Sequence, residues 1–431
     1  MINSKKVAIY GLGYLGYTTL SNLVDNYIDC YVYDYKDDRR DSKDSVKLFN
    51  DFFDNLFLTE NSYKSKKSLV NFCSDTELFQ MQDINTHLIC IPTEDAGVPN
   101  VELLEKIISS FRKIKNNKIH IIIESTLYPK IIKNIILPKL SSSGMEIDKD
   151  FFLSFVVRQD VIKSLDDLKK DNTYMLSAIS DLSLIEVENF YSYIGQNYII
   201  TKDYEVLEII KHVENSLEHL HQSFANQILL SFPEININEV FKLLQEHKGI
   251  DLSSSIGSNG FAIPVSSRVL LDSIENQNSL SLLKESILVD MSMITVVKDD
   301  LTKNNIKKVL ILGVSSEKDV KQDIFSTYLR LATYLNESNF EVFIYDPFFD
   351  SYELNSITNV NIVSDIDNIQ NDIEGVIVGT KHSWIKFLDM EVFISNFAQT
   401  KYFLDNGSFS SIETKIYNYK SIGQANCFKD L

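Results

Sequence analysis

The chain has few of the residues that mark extracellular, membrane or nucleic-acid-binding proteins. Its four cysteines, Cys30, Cys73, Cys90 and Cys427, are far apart and lack metal-ligand spacing, and Cys90 sits in the apolar run HLICIP. That usage excludes a disulfide framework and fits reduced, mostly buried thiols. Positive charge is scarce too: 42 Lys and Arg against 60 Asp and Glu give a formal net charge of -18, which argues against a phosphate-backbone partner. No window approaches the roughly 18 uncharged apolar residues of a membrane span. The start, MINSKKVAIYGLG, enters a strand without an apolar signal region, so a soluble, cytoplasmic protein with no nucleic-acid or membrane partner is expected. The single tryptophan, Trp384 in HSWIKF, is expected to pack in the core.

What is present is ordinary globular material, 44% hydrophobic and 24% charged. At about 150 residues per domain, 431 residues suggest roughly two to three domains. In the first part, KVAIYGLG, DCYVYDY, THLICIPT and KIHIIIEST read as buried strands, each followed by a stretch with apolar residues at helical spacing. Such alternation predicts a parallel sheet covered on both faces. The pattern changes over about residues 203–245. YEVLEIIKHVENSLEHLHQSFANQILLSF keeps apolar residues at i, i+3, i+4 and i+7 without glycine, which predicts one long helix. A second helix, NINEVFKLLQEH, should be capped by Asn236 or Asn238. The strand and helix alternation returns at IKKVLILGVSS, TYLRLATYLNES, FEVFIYDPFFD, GVIVGT and KYFLDNG. The expected fold is α/β: two Rossmann-like, doubly wound parallel-sheet domains (1–202 and 301–431) joined by an all-helical central region (203–300) with a long helix.

GLGYLG, residues 11–16, fits G-x-G-x-x-G between a strand and a helix. Gly11 allows a tight turn, Gly13 lets backbone amides approach a pyrophosphate, and Gly16 allows close packing at the helix start that Tyr14 and Leu15 share. Alone the motif is weak. Asp34, at the end of the second strand and at about the expected 20-residue distance, could accept ribose hydroxyls. An acid there favours NAD over NADP, although Arg39 nearby leaves that preference open. The histidines of the long helix, His212, His219 and His221, are expected to be structural or at the surface, and no metal site is expected.

Together with the other segments, this motif resembles the UDP-glucose/GDP-mannose dehydrogenase family, in the same order and over nearly the whole length. Members oxidise the C6 alcohol of a nucleotide sugar to a carboxylate with two NAD molecules. IPTEDAGVPN (91–100) resembles the family segment that places a threonine, here Thr93, beside the cofactor. ESTLYP (124–129) resembles the segment whose threonine, here Thr126, lines the catalytic site and helps position water; Lys130 stands where the family has glycine. KHVEN (211–215) is similar to the family's K-x-x-x-N, so the resemblance makes Lys211 and Asn215 the pair that steadies a developing oxyanion. Their spacing of four puts both on one helix face. KKVLILGVSS, FEVFIYDP with Asp346 and Pro347, and GVIVGTKHSWIKF resemble the nucleotide-binding C-terminal domain. The resemblance therefore implies NAD as cofactor and a nucleotide-sugar substrate, and the long helix between two α/β regions is expected to form a homodimer surface.

The resemblance breaks where chemistry is expected. In SIGSNGFAIPVSS (255–267), Gly257, Gly260, Ile263 and Pro264 follow the family's active-site loop. Ala262, however, occupies the catalytic cysteine position, Phe261 that of the histidine before it, and Ser266 that of the later aspartate. Alanine cannot form the thiohemiacetal that precedes a second oxidation. SFVVRQDV (154–161) lacks the family's Pro-Glu and later Glu-Gly, with Asp160 the nearest stand-in for a base. In EKDVKQDIFS, Glu317 replaces a lysine, Lys321 an aspartate and Ile324 an arginine suited to grip phosphate. Three readings follow. One is a single two-electron oxidation, or a reversible one serving isomerisation, by Lys211, Asn215, Thr126 and a water. A second is a catalytically silent binding homologue with a regulatory or subunit role. The third is the full four-electron oxidation with a substitute nucleophile.

Overall fold

The computed structural model describes residues 6–12, 14–34, 67–73, 83–95, 98–114, 118–158, 173–260, 262–319, 321–323, 325–351, 354–355, 358–366, 372–387, 400–406 and 419–429. The chain forms two compact units, Met1–Lys211 and His212–Leu431.

In the first unit, β1 (Lys6–Tyr10), α1 (Tyr14–Asp25), β2 (Asp29–Tyr33), β3 (Val70–Phe72) and β4 (Thr86–Ile89) are followed by a two-stranded hairpin, β5 (Glu94–Asp95) with β6 (Val98–Pro99). Then come α2 (Glu102–Ser110), β7 (Ile119–Ile123), α3 (Leu137–Ser142), β8 (Phe151–Val157), β9 (Thr173–Ala178), α4 (Asp181–Tyr193) and β10 (Asn197–Ile200). The eight-stranded sheet has the order β10-β9-β8-β7-β4-β1-β2-β3. Its core, from β3 through β8, is parallel and doubly wound about β1, which pairs with β2 on one side and β4 on the other. The one turn from parallel pairing is between β8 and β9, where Ser154 faces Ala178 antiparallel; an antiparallel edge on such a sheet is common.

The apolar runs are continuous because both faces of a parallel sheet are covered. In β1, Ala8 and Tyr10 point into one buried cluster with Leu104, Ile107 and Leu140. Val7 and Ile9 point into the other with Leu20, Leu23 and Val187. The α1 and α4 helices thus cover one face and α2 and α3 the other.

The second unit holds most of α5 (Tyr204–Ser231), then α6 (Ile237–Lys248), α7 (Ala262–Asp272) and α8 (Ser281–Lys303). The long helix predicted from the sequence is thus α5, and it ends at Ser231. Of the two candidate caps for α6, Asn236 accepts from the Glu239 amide, whereas Asn238 donates to the Ile422 carbonyl at 3.0 Å. Gly249, with φ 69°, closes α6 in the left-handed conformation. There follow β11 (Lys308–Leu312), α9 (Thr327–Glu337), β12 (Glu341–Tyr345), β13 (Asn361–Ile362), β14 (Gly375–Val378), β15 (Tyr402–Asp405) and β16 (Tyr419–Ser421). This sheet is parallel throughout, in the order β13-β12-β11-β14-β15-β16. Ala225, Phe241, Met293, Val297 and Leu301 of the helices share one core with Val309 and Ile311 of β11. Trp384 packs edge-on to Tyr345 at 5.4 Å between ring centres.

Two histidines lie inside the first sheet. His87 donates from Nε2 to the Ile84 carbonyl at 3.2 Å and shares a hydrogen bond of 3.0 Å between Nδ1 and the Tyr10 hydroxyl. His120 bonds the Ser154 hydroxyl at 2.8 Å. Burial pushes His87 down to about 4 and, with His87 nearby, His120 down to about 3, from an ordinary 6.5. The unfolded chain takes up these protons near pH 6.5 and the folded chain does not, so their contribution is intact above 6.5 and lost as pH falls. Stability should drop by about 1.4 kcal/mol per pH unit for each histidine below that point, until the native state itself protonates. Urea unfolding at pH 7 and pH 5 should show the drop, and His120→Leu should make it smaller; an unchanged difference in that variant refutes the assignment.

Candidate active site

The glycine turn is built by close backbone approach. Gly11 has φ 92°, and a Cβ there would lie 2.6 Å from the Cys90 carbonyl oxygen; a Cβ on Gly16 would lie 1.9 Å from the Gly11 carbonyl oxygen. No other residue type fits either place. The Leu12 amide donates to the Asp34 carboxylate at 3.3 Å, which holds that acid beside the turn at the end of β2. Tyr14 opens α1 and Leu15 packs against the buried face. Gly13 and Arg39 lie outside the described residues.

Thr93 and Thr126, which follow β4 and β7, are brought together: the Thr93 hydroxyl donates to the Thr126 carbonyl at 2.6 Å. Lys211 and Asn215 are one turn apart on α5. The Asn215 side chain is buried and donates to the Ser266 hydroxyl of α7 at 2.8 Å. The position where the resemblance implies an aspartate thus holds the amide of Asn215 with a neutral oxygen.

The glycine loop ahead of α7 is tied down from several sides. The Ser258 amide and hydroxyl both donate to Asp290 of α8, at 2.5 and 2.9 Å. The Thr327 hydroxyl donates to the Ser258 carbonyl at 2.5 Å, and Asn259 accepts from the Thr327 amide at 2.7 Å, beside the start of α9. His219 of α5 bonds the Ser267 hydroxyl at 2.9 Å, and its other ring nitrogen lies 3.7 Å from Asp290. Burial would raise the Asp290 carboxyl, but His219 and the Ser258 donors outweigh it and hold it below the ordinary carboxylate range. Gly257 and Gly260 both take positive φ, and Glu317 lies against Gly260, with Oε1 2.5 Å from where a Cβ would stand. Ala262 is the first residue of α7 and its methyl is exposed. Phe261, Asp160 and Ile324 lie outside the described residues.

In the second unit Asp346 follows β12 as Asp34 follows β2, but its carboxylate is already used. It accepts from the amides of Val314, Ser315 and Phe348 at 2.8, 2.9 and 3.0 Å and from His382 at 3.2 Å. Burial alone would raise it; His382 and these amides hold it low. It is therefore committed to its own loop. Among the described residues, no group of three or more His, Cys, Asp or Glu could hold a metal ion, and no helix is long and apolar enough to cross a membrane.

Residues 310–409 match the UDP binding domain of the UDP-glucose/GDP-mannose dehydrogenase family. Over nearly its whole length the chain is similar to a UDP-N-acetyl-D-mannosamine dehydrogenase of Methanococcus aeolicus, 25% identical over 404 residues that cover 90% of this chain and 86% of that protein. A GDP-mannose 6-dehydrogenase of Pseudomonas syringae is 22% identical over 331 residues, 71% of this chain and 75% of that one. Among solved structures, the UDP-D-ManNAc dehydrogenase of Pyrococcus horikoshii superposes with a TM-score of 0.80 at 17% identity, covering 98% of this chain and 100% of that one. The UDP-glucose dehydrogenase of Pyrobaculum islandicum gives 0.77 at 18% identity, over 96% and 97%. These likenesses show the fold.

Sequence reasoning missed two groups of residues. Arg158 was passed over inside SFVVRQDV, yet it forms a buried pair with Glu124, 2.8 Å apart. The available signal was a charge closing the apolar run FFLSFVV. Asp290, in the middle of α8, gave no signal at all. Asp290→Ala leaves the Ser258 donors without an acceptor and should cost about 3 kcal/mol in urea unfolding. It should also open a new protease cleavage within residues 255–260; wild-type resistance there would refute the clasp.

Proposed function

We propose that this protein is a member of the UDP-glucose/GDP-mannose dehydrogenase family, an NAD-dependent oxidoreductase acting on the CH–OH of a UDP- or GDP-sugar in polysaccharide precursor synthesis, and that it stops after one two-electron step. The observation that carries this is Ala262 at the head of α7: a methyl stands where the resemblance implies a thiol, while the loop ahead of it is clasped by Asp290 and, in the first unit, the glycine turn and the Thr93–Thr126 contact are formed.

The first unit fits NAD. The backbone cradle of Gly11 and Gly16, which a Cβ would fill, and the amino end of α1 suit a pyrophosphate; Asp34 suits ribose hydroxyls. NAD bound there supplies the hydride acceptor. The remaining roles rest on motif correspondence. Lys211 offers a positive charge and Asn215 an amide to the carbinol oxygen, stabilising negative charge as the proton leaves. Thr126 orients the water that takes that proton. Ser266 keeps the Asn215 amide in place through its 2.8 Å hydrogen bond. No group at 262 can capture the carbonyl product, so it is released at the aldehyde level.

The same reading includes a homodimer through α5. Val206, Ile209, Val213, Leu217 and Phe224 recur at helical spacing along it and are all exposed, Leu217 and Phe224 by 50 and 54%. An exposed apolar stripe of that kind suits a second copy.

Purified protein with UDP-N-acetylmannosamine, UDP-glucose and GDP-mannose should yield one NADH per sugar and an aldehyde or its hydrate by NMR. Ala262→Cys should raise the yield above one NADH and give some acid. Wild-type protein that produces two NADH and a uronate rejects the single step, and NAD binding without turnover on any sugar points to the silent homologue. Light scattering should report a dimer that Leu217→Glu with Phe224→Glu converts to monomer; an unchanged mass sinks the α5 interface.

A further inference from the structure

At the carboxyl ends of β7 and β8 the first unit buries a full charge pair. Glu124 and Arg158 follow those strands directly, and each side chain is only 2% exposed. Arg158 donates from Nη1 to Glu124 Oε2 at 2.8 Å and from Nη2 to the Thr18 hydroxyl at 2.7 Å, and Nη1 also reaches the Thr19 hydroxyl. Thr19 and Tyr191 donate their hydroxyls to Glu124, and the Cys90 thiol lies 3.5 Å from it. The guanidinium rests over the Tyr174 ring, 4.9 Å from its centre. A single fork therefore grips α1, β7 and the neighbours of both.

A buried ion pair is a weak source of net stability, because desolvation offsets most of the attraction and apolar groups of equal volume would serve as well. What the planar fork adds is direction: it fixes both the distance and the angle between the groups it joins. Here it joins the two halves of the crevice at the carboxyl ends of the strands, where open α/β sheets bind their ligands. On one side, Thr18 and Thr19 lie within a turn of Gly16, whose packing on Gly11 sets the glycine turn. On the other, the Glu124 and Ser125 amides are anchored to the Ile89 carbonyl at 2.9 and 3.1 Å, and Thr126 comes next, held by Thr93.

We infer that Arg158, acting through Glu124, Thr18 and Thr19, is a positioning residue that sets the register of α1 against the 124–126 segment and so aligns a bound nicotinamide dinucleotide. This rests on the reading of the first unit as the NAD site. The effect of Arg158 is carried by the two elements it joins. Loss of the fork lets α1 slide relative to Thr126, which weakens dinucleotide binding and misplaces the reacting end, while nucleotide-sugar binding by the second unit is untouched.

The test uses the whole chain with two variants, Arg158→Lys, which keeps the charge and loses the fork, and Glu124→Gln with Arg158→Met, which removes both charges so that neither is left buried alone. NAD affinity and UDP affinity are measured separately by calorimetry, kcat with a sugar that turns over, and folding by circular dichroism and Tm. Both variants should stay folded, bind NAD about tenfold or more weakly and lose kcat by about tenfold to a hundredfold, with UDP affinity unchanged. Folded variants with wild-type NAD affinity and kcat overturn the inference and leave Arg158 a structural residue. Equal loss of NAD and UDP binding overturns it too. Wild-type protein that fails to bind NAD counts against the proposed function instead, which separates the two failures.

Discussion

A parallel strand has to be buried on both faces, and this constraint shapes both units. It makes KVAIY, THLI, IHIII and KVLIL almost wholly apolar, forces a helix into each crossover, and brings the carboxyl ends of the strands to one edge of the sheet. Polar groups that must be near that edge are then held in a nearly dry place, so each needs a partner. Glu124 has Arg158, Asp346 has His382 and its own loop amides, and Asp290 has Ser258.

The two sheets use one scheme differently. In the first, the acid after β2 steadies a glycine turn with a carboxylate that is only partly buried. In the second, the acid after β12 is buried and shared among three amides and a histidine. The same fold position thus holds a single backbone amide of the glycine turn at 3.3 Å in one unit and several loop amides with a histidine in the other. The 255–260 loop likewise keeps its anchors although the side chains expected beside it, Cys at 262 and Asp at 266, are replaced by Ala and Ser.

Most of the fold was legible in the sequence because burial on both faces leaves long apolar runs and the crossover helices carry their own periodicity. GLGYLG was legible because steric exclusion at Gly11 and Gly16 admits no other residue, and Ala262 because a resemblance in register makes one substitution visible. The antiparallel turn between β8 and β9 was not, since an apolar strand reads alike in either direction. Nor was the Arg158–Glu124 pair, whose members are 34 positions apart and meet only when β7 and β8 lie side by side. Asp290 looks like any solvated acid on a helix until the loop that needs it is folded against α8.

The exposed methyl at the head of α7 also bears on how the protein meets reactive small molecules. Electrophiles and peroxide attack thiolates, and a thiol is vulnerable to the degree that it is ionised and accessible. Cys30, Cys90 and Cys427 are buried, and burial pushes each thiol well up, away from ionisation at neutral pH; Cys73 is half-buried and sits after β3, in the first unit. With alanine at 262, the loop that would otherwise carry the most exposed sulfur carries none. The protein is chemically quiet there, and an alkylating or oxidising environment that silences a thiol-bearing loop has nothing in this one to modify.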